Sequence, residues 1–407
     1  VSGGLRSTTT PADLDPGDPS PGTALTAFAS PRRTLWGEGE ALRIDLPAPW
    51  PDHVDRVAEA LAAIDVDGTV GEPGTGPVAF GALPYDRDAA ATLVVPRVLH
   101  GRTADGHRWT TVTATGHATD SAAPDPGDRD LPAVPAAVSV RSVRPPGDWR
   151  RAVAEATERI VRRELTKVVL ARELEVVGDV PWDAATLWAR FSAAAPGALR
   201  YAVDGSVGAS PELLVSRIGD VVRAHPMAGT TPRTGDPDAD QRRAAELLAS
   251  TKNRTEHQIT IDMVHETLLP WCSYLDAEPT PSVVAAGPVQ HLATLVEGRL
   301  ARPTPSVLTL VAALHPTPAV GGWPTDAALA AQRDLEGADR GRYAGPVGWV
   351  DAAGNGAWAV GLRGVQLDGR RASCFAGVGV VADSDPDAEL EETRAKAQAV
   401  LSALVRL

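Results

Sequence analysis

Gly208-Ala209-Ser210-Pro211-Glu212 places one carboxylate, Glu212, at the end of a turn of small residues and directly before the apolar pair Leu213 and Leu214. A carboxyl group held against an apolar wall keeps its proton to higher pH and can act as a general acid. Read alone, the same residues are more often a surface Glu beside a hairpin. A group of opposite duty stands upstream, where Lys167 opens the apolar run Lys167-Val168-Val169-Leu170-Ala171-Arg172. A lysine base needs its pKa brought from ~10.4 to ~7–8 by burial or positive neighbours, a change worth about 4 kcal/mol. The plainer role is a strand-edge Lys that snorkels to water. Glu212 needs the opposite change, a rise of ~2–3 units.

Other carboxylates are spaced for a hard cation. Glu256 lies in Lys252-Asn253-Arg254-Thr255-Glu256-His257 near a helix start, and Glu389, Glu391 and Glu392 lie on the last helix with Lys396 one turn beyond Glu392. Carboxylates from two helices suit Mg²⁺, which takes a few of them together with waters and substrate oxygens. The alternative is a solvated acidic helix face with an i, i+4 Glu–Lys pair. His257, His265, His291 and His315 show no metal-ligand spacing such as HExxH. Arg363, in Trp358-Ala359-Val360-Gly361-Leu362-Arg363, is read as a strand residue that either clamps a carboxylate or faces water. Phe375-Ala376-Gly377-Val378-Gly379 is a glycine-bearing strand that permits close approach of a ligand to backbone. The residues thus offer an acid, a base, a Mg²⁺ site and cations for an anionic substrate, without naming the reaction.

A chain of 407 residues allows one large domain or two ordinary ones, and 43% hydrophobic with 22% charged residues is a soluble globular composition. The net charge of −13 argues against nucleic acid or an acidic membrane as partner, so an anionic ligand needs cations placed locally against the overall field. Two cysteines, Cys272 and Cys374, make neither a disulfide framework nor a Cys-type zinc site. No apolar run approaches the ~20 residues of a membrane span, and Val1–Gly22 lacks an apolar signal core. A cytoplasmic monomer acting on a small molecule is expected.

Val1–Gly22 reads as a disordered tail and 23–407 as a single domain. Edge strands are expected within Thr26–Leu46, a helix over Asp52–Ile64, then strands Val78–Leu83, Ala91–Leu99 and Trp109–Ala114. Gly116–Pro135 reads as a surface excursion. Asp148 is read as the N-cap of a helix through Leu165, and further helices are expected at Ala184–Ala194, Asp238–Ala249, Thr251–Leu269 and Asp387–Leu404. Strands are expected at Lys167–Arg172, Leu199–Val203, Leu213–Ile218, Val289–Arg299, Tyr343–Val350, Ala357–Gln366 and Ala372–Val381. Long helices among grouped strands indicate an α+β fold. Neither GxGxxG nor GxxxxGK[ST] occurs.

In this order, KVVLAR, GASPELL, HPMAGTTPR, KNRTEH, QHLATLVEG, LHPTPAVGGWP, GPVGWVDAAGNG and FAGVGVV resemble the chorismate-utilising enzymes, most closely the isochorismate synthases. The resemblance runs from about Phe80 to the C-terminus. It implies two orthogonally packed sheets between helical layers, and a Mg²⁺-assisted attack at C2 of chorismate with loss of the 4-hydroxyl, for siderophore or menaquinone synthesis. On this likeness Lys167 activates water and Glu212 protonates the departing hydroxyl. Glu256 and Glu392, supported by Glu389, hold Mg²⁺. Arg363, Tyr343 and Lys396 hold the substrate carboxylates, Gly229, Thr230 and Gly377 approach the substrate through backbone, and His291 lines the pocket.

The resemblance also sorts the subfamilies. Ala228 stands where one type of aminodeoxychorismate synthase carries a lysine, which disfavours a covalent intermediate. Lys167 itself favours water over the ammonia of anthranilate synthases. Ala319 replaces the threonine of salicylate synthases, which go on to eliminate pyruvate, whereas Tyr343 is an aromatic choice those enzymes share. Two departures stand out: Asn253, where relatives often have an acid, and Ala357, where the usual pattern is GNGEW.

Overall fold

In the computed structural model, which describes residues 4–12, 17–22, 25–68, 71–115 and 133–405, short apolar runs cut by Gly, Pro and Asp pair into sheets of thirteen, nine and three strands. The α+β reading holds. Near one end of the large sheet, Lys167–Gly178 pairs antiparallel with Arg371–Val380, with Val169 opposite Gly379 and Ala171 opposite Gly377. In the nine-stranded sheet, Leu213–Ile218 lies between Val221–His225 and Gly356–Val360. The small sheet, not anticipated from the sequence, joins Met227–Pro232, Val289–Ala293 and Ser282–Ala286.

The two large sheets meet through a cluster with Phe28 and Tyr201 from one and Phe80, Trp349 and Ala359 from the other. Helices Pro146–Val161, Ala184–Ala194, Thr325–Glu336 and Pro386–Leu404 cover the outer face of the thirteen-stranded sheet. Asp55–Ala62, Thr251–Leu268 and Val307–Leu314 pack on the nine-stranded one. Each layer is sealed by large side chains with essentially no exposure, such as Trp50, Trp149 and Trp358, each contributing roughly 1.5–3 kcal/mol by burial.

Several boundaries differ from expectation. Residues 5–11 are not a disordered tail: Leu5–Pro11 pairs with Arg108–Thr115 and Asp65–Asp67, so the domain begins before residue 23. Its inward positions are hydroxyls as well as Leu5; Thr9 Oγ1 lies 2.8 Å from Thr111 Oγ1, which gives no hydrophobic alternation to read. Within the stretch expected to hold edge strands, Leu25–Ala29 and Arg33–Glu38 are interior, whereas Leu42–Leu46 is an edge of the nine-stranded sheet as expected. The helix expected from Asp148 starts at Pro146, because Pro145-Pro146 fixes the backbone there, and ends at Val161. Residues 116–132 of the expected excursion lie outside the described residues. Among the described residues no helix is long and apolar enough to cross a membrane.

Three expected strands are each two strands in different sheets. Ala91–Leu99 divides into Ala91–Val95 of the nine-stranded sheet and Val98–Thr103 of the thirteen-stranded one. Val289–Arg299 divides into Val289–Ala293 of the small sheet and Val296–Leu300 of the nine-stranded sheet. Ala357–Gln366 divides into Gly356–Val360 of the nine-stranded sheet and Gly364–Asp368 of the thirteen-stranded one. Arg363 therefore sits in a crossing between sheets, with φ 49°, and not within a strand. Tyr343 likewise precedes its strand, which begins at Pro346.

Candidate active site

The chain crosses from the thirteen- to the nine-stranded sheet at Pro211-Glu212, between Ser206–Ser210 and Leu213–Ile218. It crosses back through 361–363. The two crossings lie side by side: the Val360 N–H donates to the Glu212 carbonyl and the Ala209 N–H to the Arg363 carbonyl, both at 3.1 Å. This seam puts the acid and the guanidinium on adjacent backbones. A cavity of about 260 Å³ opens against it. Lys167, Glu212, Ala228, Gly229, Thr230, Glu256, His291, Ala319, Tyr343, Arg363, Gly377, Glu389, Glu392 and Lys396 all line this cavity. Glu391 instead faces solvent and pairs with Arg394.

Helix starts aim the carboxylates. Ser250 ends Pro237–Ala249 and begins Thr251–Leu268, its Oγ accepting from the Asn253 backbone at 3.3 Å and from Asn253 Nδ2 at 2.9 Å. That cap fixes Glu256 little more than one turn into the helix. Asp385 caps Pro386–Leu404 through the Asp387 and Ala388 N–H groups, so Glu389, Glu392 and Lys396 fall on one face. Ser384 Oγ donates to Glu389 Oε1 at 2.7 Å. Lys396 Nζ lies 2.6 Å from Glu392 Oε1 and donates to the Gly377 carbonyl at 2.9 Å.

Lys167 is 3% exposed, and its Nζ donates to Glu256 Oε1 at 2.7 Å. Gly379 makes that contact possible: a Cβ there would lie 2.9 Å from Lys167 Cε and 3.3 Å from Glu256 Oε1. At Gly377 a Cβ would lie 2.9 Å from the Tyr343 hydroxyl, and Tyr343 stacks on Phe375 with ring centroids 5.2 Å apart. The opposite wall is pinned from behind. Arg340 donates to the carbonyls of Val169 and Val320 at 2.8 Å each and to Glu336 at 2.9 Å, while Gln332 Nε2 reaches Val169 and Gly321. This buried network holds Val320 and hence Ala319 in place.

Burial, opposed only in part by a Met227 N–H bond and by the charges of Lys167 and Arg363, pushes the Glu212 carboxyl up to about 8. Burial also raises Glu389, to about 7, aided by the charge of Glu392 and opposed by the Ser384 bond. Glu256 is buried too, but Lys167 beside it holds its carboxyl below the usual range. Burial and the nearby Arg363 and Lys396 bring His291 down to about 3, so the ring is neutral. Its Nδ1 lies 3.2 Å from the Gly229 carbonyl, which can only accept, so Nδ1 carries the proton in that bond. Gly229 itself is in the left-handed region, φ 72°, at a bulge between Ala228 and Thr230. Burial lowers Arg363, and its Nε has no hydrogen-bond partner among the described residues.

These residues fit a substrate with carboxylates: an unpartnered guanidinium nitrogen and Lys396 stand ready for them. They also fit Mg²⁺. Among the described residues no three His, Cys, Asp or Glu side chains form a ready-made cage. The carboxylates of Glu256, Glu389 and Glu392 nevertheless share the cavity, and Mg²⁺ binds through one or two carboxylates completed by substrate and water. Sequence reading missed Gly379 as a contributor, though the glycine spacing of its strand was a signal, and missed Lys252, which lines the mouth and pairs with Asp383 at 2.8 Å. Asn253, the first departure, lies in the cavity wall against Gly229. Ala357, the second, packs beside the Trp349 cluster and not on the cavity.

A family model described as "Chorismate binding enzyme" matches residues 29–405. Isochorismate synthase DhbC of Bacillus subtilis is 36% identical over 392 residues, 93% of this chain and 92% of that protein. The putative isochorismate synthase MenF of Mycobacterium tuberculosis is 41% identical over 81% of this chain and 87% of its own. Among solved structures, the putative 2,3-dihydroxybenzoate-specific isochorismate synthase DhbC from Bacillus anthracis superposes with a TM-score of 0.78 at 33% identity, covering 94% of this chain and 96% of that one. The menaquinone-specific MenF from Escherichia coli has the same fold, with a TM-score of 0.81 at 23% identity over 99% of this chain and 95% of that one. With its acid, its lysine and its cations gathered at the seam between two sheets, this chain belongs to the chorismate-binding enzyme family, as a relative of its isochorismate synthases.

Proposed function

We propose that the chain converts chorismate to isochorismate, with water as nucleophile. The observation that carries this reading is the shared cavity of Lys167 and a Glu212 that burial keeps protonated up to about pH 8. Arg363 and Lys396 hold the substrate carboxylates. Lys167 takes the proton of a water that bonds to ring C2, the ring double bonds shift, and the C4–O bond breaks as Glu212 gives its proton to the departing oxygen. One water enters and one leaves, so the result is an isomerisation. Lys167 can do this only when Glu256 releases its Nζ. Glu256, Glu389 and Glu392 would hold Mg²⁺, which supplies a Lewis acid and a template at the ring carboxylate. Ala228 leaves no lysine to form a covalent adduct in the turn.

Incubating the purified chain with chorismate and Mg²⁺ and identifying the product tests the reading. Isochorismate is expected. Salicylate with pyruvate as the dominant products, under conditions where isochorismate is stable, would replace it with a salicylate synthase, the role Tyr343 shares. No Mg²⁺-dependent loss of chorismate would leave only a binding protein.

A further inference from the structure

A second cavity of about 500 Å³ lies back to back with the first. Its volume and its mostly Ala, Gly, Pro and Val wall match small-molecule sites, which run ~300–1,000 Å³ with a few polar groups. Among the described residues its charged lining groups are Arg233 and Arg363, with no carboxylate. In a chain of net charge −13, a pocket whose charged lining is two guanidinium groups, one of them already paired with Asp240, favours an anion. Arg233 is held at the rim by Asp240 and the Gly287 carbonyl, both at 3.2 Å, while Arg363, whose buried Nε has no hydrogen-bond partner among the described residues, borders both cavities.

The two cavities share structure as well as a wall. Arg363 and Pro211 line both, and Pro211 directly precedes Glu212. Ala209, in the second cavity, donates its N–H to the Arg363 carbonyl. Ala399 lies one turn beyond Lys396 on the same helix. Facing it across the cavity is the hairpin that contains Ser282–Ala286 and returns as the His291 strand. Apart from the helix Ala184–Ala194 and residues 195–198 after it, the elements around the second cavity also carry groups of the first.

We propose that the second cavity binds a small monoanionic acid with an apolar body, and that its occupancy lowers turnover by drawing on Arg363 and shifting the seam at Pro211-Glu212. Turnover as a readout rests on the isochorismate reading; direct binding does not. Benzoate is the probe, with benzylamine as the same body carrying the opposite charge. Calorimetry on the whole chain should show benzoate binding in the presence of saturating chorismate, and no benzylamine binding. Benzoate should then reduce kcat, not merely raise KM. Ala399→Trp fills the cavity from a position outside the catalytic groups; it should weaken benzoate binding about tenfold or more while leaving uninhibited turnover unchanged. Ala285→Phe, on the facing hairpin, gives the same test if the first variant folds poorly. Benzoate that is displaced by chorismate and indifferent to both variants occupies the catalytic cavity and overturns the proposal, as does an absence of binding at millimolar benzoate. If the chain turns over no chorismate at all, calorimetry with the two variants still decides the question.

Discussion

Glu212 and Lys167 are separated by their surroundings rather than by their own chemistry. Glu212 is sealed in the seam, 3% exposed, and its proton stays until about pH 8. Turnover should therefore fall as pH rises through about 8, and a rate profile that stays level to pH 9 would remove Glu212 as the acid. The same shift acts on stability. Between the ordinary carboxyl value of 4.5 and about 8 the unfolded chain has released this proton and the native chain has not, so the burial of Glu212 makes folding less favourable as pH rises across that window. Glu212→Gln should lose turnover yet gain on the order of a few kcal/mol of stability relative to the parent at pH 8, an advantage that disappears below pH 4.5; denaturant melts at the two pH values measure it. Lys167→Ala should keep the fold and lose ~10²–10⁴-fold in kcat. Gly379→Ala makes a finer cut: the nearest atoms to its new methyl are the end of Lys167 and one Glu256 oxygen, so kcat should drop about tenfold or more with the melting temperature nearly unchanged. An unaffected rate in that variant would show that the Lys167–Glu256 spacing is not critical.

Most helices with local caps were legible in the sequence, but Val307–Leu314, capped by Ser306, and Thr325–Glu336 were not anticipated. Ala184–Ala194 follows Asp183, whose carboxylate accepts from the Thr186 N–H at 2.7 Å, and the break at Ser250 separates two helices where it was expected. What was not legible depends on pairing between distant strands. The runs 289–299 and 357–366 are apolar on both sides of their crossings, so hydrophobic pattern alone gives no reason to divide them. Residue types at the site were readable, but their convergence was carried by eight motifs resembling one family; spacing alone left Glu212 a surface residue and Glu256 part of a solvated face. The Ser250 junction is itself testable. Ser250→Ala should cost about 1 kcal/mol of stability through the lost cap. It should also raise the Mg²⁺ concentration giving half-maximal turnover, because Asn253 loses its partner and the start of the Glu256 helix loosens. An unchanged Mg²⁺ dependence would mean that the helix start is held by packing instead.

At the scale of the whole molecule, two broad sheets and their helical covers supply a rigid frame, and a chain of net charge −13 holds a cavity where Lys167, Lys252, Arg363 and Lys396 are set among the carboxyl groups of Glu212, Glu256, Glu389 and Glu392. The strand Leu5–Pro11 belongs to that frame, with Ser7 fully buried and Thr9 nearly so. Removing residues 4–12 should expose the partner hydroxyls of Thr111 and Thr113 and cost more than about 3 kcal/mol in a denaturant melt, far beyond the loss of a frayed end. The two crossings at 211–212 and 361–363 carry a different kind of constraint. Each spans two or three residues between sheets, and the hydrogen bonds at 3.1 Å tie one to the other. The chain therefore divides into stretches open to a change of length and stretches closed to it. A hairpin end such as 103–107 can accept an inserted peptide, a label or a fusion junction, because nothing on the cavity depends on its span. One residue added to either crossing moves the proton donor relative to the guanidinium beside it. In a library of random insertions the crossings should stand out as the shortest intolerant segments, and the tolerated sites would outline the same cavity in negative.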